Sequence, residues 1–241
     1  MKTNYIIKEF DCIDSTSTYL KKNYLENENM TIVSALKQLD GHGRMNRKWI
    51  SNEGENLMFS ILIKDKYLIN NFSSLSLASA VVIYNVLNKL QIKNVSIKWP
   101  NDVYVKDKKI CGILLESVSY DGEIKALVIG VGLNVNSVFD NTELENTATS
   151  IYKETNTKYE LNVIKDIVYN ELDCVLSNNN FNNYLEVVRK NNYLKDKKVY
   201  CEINNKKELV KVLDINDDNS LKVLLNNKEI NLISSEISFH K

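Results

Sequence analysis

Every glycine of this 241-residue chain lies between Gly41 and Gly132, and its single proline, Pro100, and both tryptophans, Trp49 and Trp99, fall in the same interval. Glycine opens backbone conformations closed to other residues, proline fixes φ, and tryptophan gives a rigid aromatic surface. A chain otherwise dominated by Asn, Lys, Ile and Leu therefore gathers them where a site needs unusual backbone. Two segments hold most of them: Gly41-His42-Gly43-Arg44-Met45-Asn46-Arg47-Lys48-Trp49 and Lys98-Trp99-Pro100-Asn101-Asp102.

The length allows one large domain, or a domain of ordinary size with a small appendage, and either buries a substantial core. With 31 Lys+Arg against 31 Asp+Glu, the whole chain gives no electrostatic reason for bulk nucleic-acid or membrane binding. The start, MKTNYIIKEFDC, has no apolar core and no small-residue cleavage site, so no signal peptide is expected. The uncharged stretch from Tyr67 to Asn88 contains repeated Ser and Asn and predicts a buried helix rather than a membrane span. Cys12, Cys111, Cys174 and Cys201 show no CxxC pairing, and with only His42 and His240 beside them a structural zinc site lacks ligands. A reducing, cytoplasmic location is expected.

The pattern predicts a strand over Tyr5 to Phe10, then a helix capped near Asp14-Ser15-Thr16-Ser17. Strands follow over Thr31 to Leu36 and Leu57 to Ile63, then a helix after Phe72 with Ser73 or Ser74 as N-cap. Next comes an antiparallel meander, Val103 to Val105, Ile110 to Val118 and Ile124 to Val135, turning at Lys106-Asp107-Lys108 and Asp121-Gly122. Residues 161 to 190 return to helical periodicity, broken at Asn178-Asn179-Asn180, with a short second helix around Tyr184 to Val188. From Lys197 onward short strands separated by Asn, Asp and Lys turns predict a small β-barrel.

In the first glycine segment, Gly41 and Gly43 let the chain turn with exposed N–H groups, while Arg44, Arg47 and Lys48 place three positive charges within five residues. Such a loop suits a polyphosphate or a carboxylate. It matches neither a Walker loop nor a dinucleotide fingerprint, and taken alone it reads first as a solvated basic turn. In the second segment Pro100 and Trp99 fit a structural corner. Lys98, Asn101 and Asp102 fit that corner less well, because an amine, an amide and an acid together suit a nucleotide's hydroxyls and phosphates. Lys109 precedes a strand in which Gly112 opens space beside the backbone; alone it is an ordinary turn lysine.

At this point the chain resembles the biotin protein ligases. The family pattern GRGRxGRxW stands as GHGRMNRKW at 41–49, KWPND is intact at 98–102, and KxxGIL stands as KICGIL at 109–114. Further matches are Asp14-Ser15-Thr16 for DSTN, Gln38, Asn56, and Gly130-Val131-Gly132-Leu133-Asn134 for GxGxN. The resemblance implies an α+β fold: a mixed, mostly antiparallel sheet flanked by helices, like class II synthetases, over residues 1–190, and an SH3-like β-barrel over 191–241. It implies activation of biotin by ATP to biotinyl-5′-AMP, with Mg2+, and transfer to a lysine of a biotin carboxyl carrier protein. Lys109, Arg44, Arg47 and Lys98 are then the expected catalytic cations, and Asp102 the expected metal ligand. Ser15, Thr16, Ser17, Gln38, Gly41, His42, Gly43, Arg44, Lys109 and Gly112 are the expected biotin contacts. Arg44, Arg47, Lys48, Trp49, Asn56, Lys98, Asn101, Asp102, Lys109 and Asn134 are the expected contacts to ATP or the adenylate. The glycine loop and residues 136–149 are expected to cover the ligand.

His42, Asn46 and Ser17 depart from the pattern without removing a charge the chemistry needs; Asn46 tolerates the left-handed backbone region better than most non-glycine residues. The fold begins at Tyr5, so the resemblance implies no DNA-binding domain and no DNA partner, while a homodimer through a sheet edge is compatible with it. A lipoate or octanoate ligase of related fold, or a catalytically silent small-molecule binder, remains open as an alternative.

Overall fold

The computed structural model describes residues 5–176, 183–203, 206–233 and 239–240. Strands β1 (Ile6–Ile13), β2 (Thr31–Gln38), β3 (Asn56–Ile63), β4 (Val95–Lys98), β5 (Asp102–Val105), β6 (Lys108–Tyr120) and β7 (Glu123–Asn134) form one sheet in the order β1-β2-β3-β7-β6-β5-β4. Only β1 and β2 run parallel; every other pair is antiparallel. The β6–β7 hairpin turns at Asp121 (φ 56°) and Gly122 (φ 78°), the two successive left-handed residues that a tight two-residue hairpin requires.

Six helices accompany the described strands: α1 (Thr16–Lys22), α2 (Lys66–Asn70), α3 (Phe72–Lys89), α4 (Ile151–Thr155), α5 (Leu161–Leu176) and α6 (Tyr184–Lys190). Helix α3 does form over the uncharged stretch, but its cap lies one residue before Phe72, at Asn71, and Ser73 and Ser74 sit inside the first turn. The cause is α2, which Asp65 caps through the Leu68 N–H and which delivers the chain directly into α3. The expected break at Asn178-Asn179-Asn180 lies outside the described residues.

Strand alternation sends Leu57, Phe59, Ile61 and Ile63 of β3, with Leu127, Ile129, Val131 and Leu133 of β7, into the core cluster that holds α3 and α5. The opposite face carries a smaller apolar cluster, Leu20 of α1 with Val33, Leu62, Ala126 and Val128. Beyond α1 that face carries Ser60, Gly112, Gly130 and Gly132, and it forms the floor of a cavity.

A second, antiparallel sheet has the order β11-β10-β9-β8-β12, from β8 (Lys198–Ile203), β9 (Lys206–Ile215), β10 (Leu221–Leu225), β11 (Lys228–Leu232) and β12 (Phe239–His240). The expected small C-terminal β unit is present as this separate antiparallel sheet, in which, among the described residues, β11 and β12 are the edges. Between the sheets, Ile97 N–H donates to Asn191 O (2.8 Å) and Tyr193 N–H to Ile97 O (2.9 Å), so this linker lies along β4.

Candidate active site

The cavity, about 540 Å³, opens on the bare face of the large sheet and collects both glycine-rich segments, β6, β7 and the start of α1. At one end lies a neutral polar group. Ser15 caps α1, its Oγ accepting from Thr18 N–H (3.3 Å). Gln38 Oε1 accepts from both the N–H (2.8 Å) and the hydroxyl (3.1 Å) of Thr16. Ser60 Oγ lies 2.7 Å from Thr16 Oγ1 and 2.8 Å from Ser17 Oγ. A Cβ on Gly130 would fall 2.6 Å from Ser17 Oγ, so the bare backbone there is what lets α1 approach β7. Ser60 was not singled out from sequence; the available signal was a lone hydroxyl in the apolar run of β3, two-residue steps from Asn56.

At the other end the charges converge. Lys109 Nζ lies 2.7 Å from Asp102 Oδ1, an ion pair without an aligned hydrogen bond. Arg44 donates to Asn101 Oδ1 (3.3 Å). Burial is the main influence lowering the Arg44 pKa, opposed by attraction to Asp102 and reinforced by repulsion from Arg47. Asn101 in turn donates its side-chain Nδ2 to Ile113 O (2.7 Å) and accepts the Ile113 N–H on its backbone carbonyl (2.9 Å), tying the KWPND turn to β6. Lys98 turns to the aromatic side: its Nζ is 3.2 Å from Tyr104 OH and stands over the Tyr104 and Tyr193 rings. Burial first, then Asp102, raises the Tyr104 pKa and keeps it a neutral phenol.

Trp49 rests on the floor. A Cβ on Gly132 would come within 2.5 Å of its ring, and one on Gly112 within 3.0 Å of the ring and 2.9 Å of Lys109 Nζ. Gly112 and Gly132 are cross-strand partners, so together they form a strip of bare backbone under the indole. Trp49 Nε1 is buried and has no hydrogen-bond partner.

The loop before Trp49 departs from expectation. Gly43 N–H donates to Arg47 O (2.7 Å) and Trp49 N–H to Gly41 O (2.9 Å), so the loop is a small hairpin that uses N–H groups expected to be free. Its left-handed residue is Met45 (φ 56°). His42 has Glu116 Oε2 at 3.7 Å from its Nε2. Arg47 and Lys48 are exposed at the rim.

Of the residues singled out from sequence, Gly41 and Asn56 do not line the cavity. Gly41 allows close approach of the Trp49 carbonyl behind the loop. Asn56 is buried and donates to Asn134 Oδ1 (2.9 Å), while Asn134 donates to Thr149 O (2.9 Å). The segment 136–149 contributes Phe139, Leu144, Thr147 and Ala148 to the lining. It is fastened to Lys109, whose N–H donates to Thr147 O (2.8 Å) and whose carbonyl accepts from Thr149 N–H (2.9 Å).

A mostly antiparallel sheet flanked by helices and followed by a small antiparallel sheet is the fold of solved biotin protein ligases. The biotin protein ligase from Aquifex aeolicus in complex with biotin and ATP superposes with a TM-score of 0.84 at 24% identity, covering 98% of this chain and 99% of that one. The biotin protein ligase from Leishmania major in complex with biotin gives 0.63 at 21% identity, covering 96% and 98%. The model of the biotin/lipoate A/B protein ligase family matches residues 9–134, and the chain belongs to that family. The bifunctional ligase/repressor BirA of Escherichia coli (strain K12) is 32% identical over 164 residues, 68% of this chain and 51% of the relative. BirA of Bacillus subtilis (strain 168) is 32% identical over 150 residues, 60% and 46%. The chain spans about half the length of these curated relatives.

Proposed function

We propose that this chain activates biotin with ATP, giving biotinyl-5′-AMP and pyrophosphate, and then transfers biotin to a lysine of a biotin carboxyl carrier protein. The observation that carries this reading is the polarity of one cavity. A neutral hydrogen-bonding group (Thr16, Gln38, Ser60) faces one end, and at the other Lys109 pairs with Asp102 while Arg44 is held by the adjacent Asn101.

In the first step a biotin carboxylate oxygen attacks the α-phosphorus and pyrophosphate departs. Two anions must approach, and preorganised cations lower the cost. Lys109 bridges carboxylate and phosphate, exchanging its bond to Asp102 for them. Arg44 holds the α-phosphate, and Arg47 and Lys48, exposed at the rim, meet the departing pyrophosphate. Lys98, Asn101 and Asn134 hold the nucleotide, with Trp49 as aromatic surface for it. Ser15, Thr16, Ser17 and Gln38 hydrogen-bond the ureido ring of biotin, with Gly112 leaving room beside it. In the second step the carrier's amine attacks the acyl carbon, AMP leaves, and the amine's proton passes to solvent.

Asp102 is the one carboxylate lining the cavity among the described residues, and no cluster of three or more His, Cys, Asp or Glu is found among them. That donor set fits Mg2+, which is held by one or two carboxylates plus substrate phosphates. Asp102 would be its protein ligand, and the ion would withdraw charge from the phosphates. The reading keeps residues 1–190 as catalytic domain and 191–241 as C-terminal domain, and places the protein in the cytoplasm. No described helix is long and apolar enough to cross a membrane.

Wild-type protein with ATP and Mg2+ is expected to release pyrophosphate when biotin is added and not when lipoate or octanoate is added. Release with lipoate alone would move the reading to the lipoate branch of the family; release with neither acid would leave a binder. In calorimetric titrations Gln38→Ala is expected to weaken biotin binding about tenfold, because losing one partner strands a buried polar group at about 1–3 kcal/mol. Unchanged affinity would remove Gln38 from the ureido site.

A further inference from the structure

The turn between β9 and β10, far along the chain from the cavity, ends in a residue that touches the KWPND segment. Trp99 is 2% exposed, and its Nε1 donates to the backbone carbonyl of Asn219 (2.9 Å). Asn219 is itself 8% exposed and adopts φ 69°, a left-handed conformation that Asn and Gly tolerate best. Its side chain is fully engaged. Oδ1 accepts from Tyr184 OH of α6 (2.5 Å), and Nδ2 donates to Ser74 Oγ (3.2 Å) and Ser73 Oγ (3.4 Å) of α3. Arg189 of α6 grips the same turn, donating to Ile215 O and Asp217 Oδ1, each at 2.7 Å.

The second sheet is thus pinned by one asparagine to α3, α6 and the corner between β4 and β5. Trp99 stands between Lys98 and the pair Asn101 and Asp102. A buried indole N–H without an acceptor is costly, so the ring stays where the Asn219 carbonyl is. Ser76 Oγ donates to Pro100 O (3.1 Å) and steadies the same corner from α3. Short rigid peptides then carry the position of Trp99 to the side chains that contact Arg44 and Lys109.

We propose that Asn219 is a positioning residue for the nucleotide-activating half of the reaction, acting through Trp99 on Lys98, Asn101 and Asp102; this rests on the ligase reading above. On this view the C-terminal sheet is a buttress for the KWPND corner, and its turn sets how well that corner meets ATP.

The test compares wild type, Asn219→Gly and Asn219→Asp as full chains, at a temperature where all three are folded by circular dichroism. Glycine keeps the left-handed backbone and its carbonyl but releases the turn from Tyr184, Ser73 and Ser74. Aspartate keeps an acceptor for those hydroxyls. Asn219→Gly is expected to lower kcat/KM for ATP in biotin-dependent pyrophosphate release about tenfold, the equivalent of one hydrogen bond, with KM for biotin unchanged. Asn219→Asp is expected to recover most of the loss. In the ligand-free proteins, amide hydrogen exchange at Asn101 and Ile113 is expected to be about tenfold faster in Asn219→Gly, with residues 31–35 of β2 unaffected. Equal ATP kinetics, equal exchange at Asn101 and Ile113, or a matching loss for biotin would overturn the assignment. If the wild type releases no pyrophosphate, the ligase reading falls, and the exchange comparison alone decides the coupling.

Discussion

Lys109→Ala is expected to lower the rate of adenylate formation about a hundred- to thousandfold, the usual cost of deleting one preorganised charge at a developing anionic centre. The effect should appear in kcat, read as pyrophosphate release at saturating biotin and ATP. On the proposed mechanism the ammonium acts where carboxylate and phosphate meet and not in either ground state alone. Lys109 is also the ion-pair partner of Asp102, whose side chain is 19% exposed. The variant therefore leaves that carboxylate without its cation, and a modest fall in melting temperature accompanies the kinetic loss. Turnover within twofold of wild type would remove Lys109 from the centre of the mechanism.

Gly132→Val is expected to weaken ligand binding about 10- to 100-fold while leaving the chain folded. A Cβ there would stand 2.5 Å from Trp49, a separation that no real contact shows, so the indole must leave the floor. Trp49 belongs to a surface hairpin and has somewhere to go. The branched side chain then occupies the strip beside Gly112, and overfilling a packed site costs about 1–3 kcal/mol. Gly54→Ala is the control: Gly54 has open space around it, and its φ of 72° makes the cost one of stability alone. Titration with biotin and with ATP separates the two variants, and equal affinities would show that the glycine strip is not the ligand floor.

The sequence made the site's charges legible because motif residues keep their chemistry wherever the backbone runs: Lys109, Arg44, Asn101 and Asp102 do meet. It made β3 legible as a β-rich run bounded by loop residues, and the β6–β7 hairpin through Asp121-Gly122. What escaped depends on distant partners. Ser60 reads as one more strand residue until α1 is laid against Gly130. Left-handed backbone at Met45 follows from the hairpin geometry of its loop and not from its own preference. Asn71 replaced Ser73 and Ser74 as cap because α2, too short to show a period, fixed where α3 begins. The small C-terminal β unit was legible from its spaced short strands, but such spacing does not show that the first of them, β8, pairs with the last, β12, as well as with β9. The bond from Trp99 to Asn219 spans 120 positions and leaves no local trace.

The large sheet buries its apolar face under α3 and α5 and leaves the other face to α1 and loops. Folding and chemistry are thereby assigned to opposite sides of the same strands. On the ligase reading, changes to the cavity side draw less on the free energy that keeps the molecule folded, so such a scaffold can acquire a new acid preference by small steps.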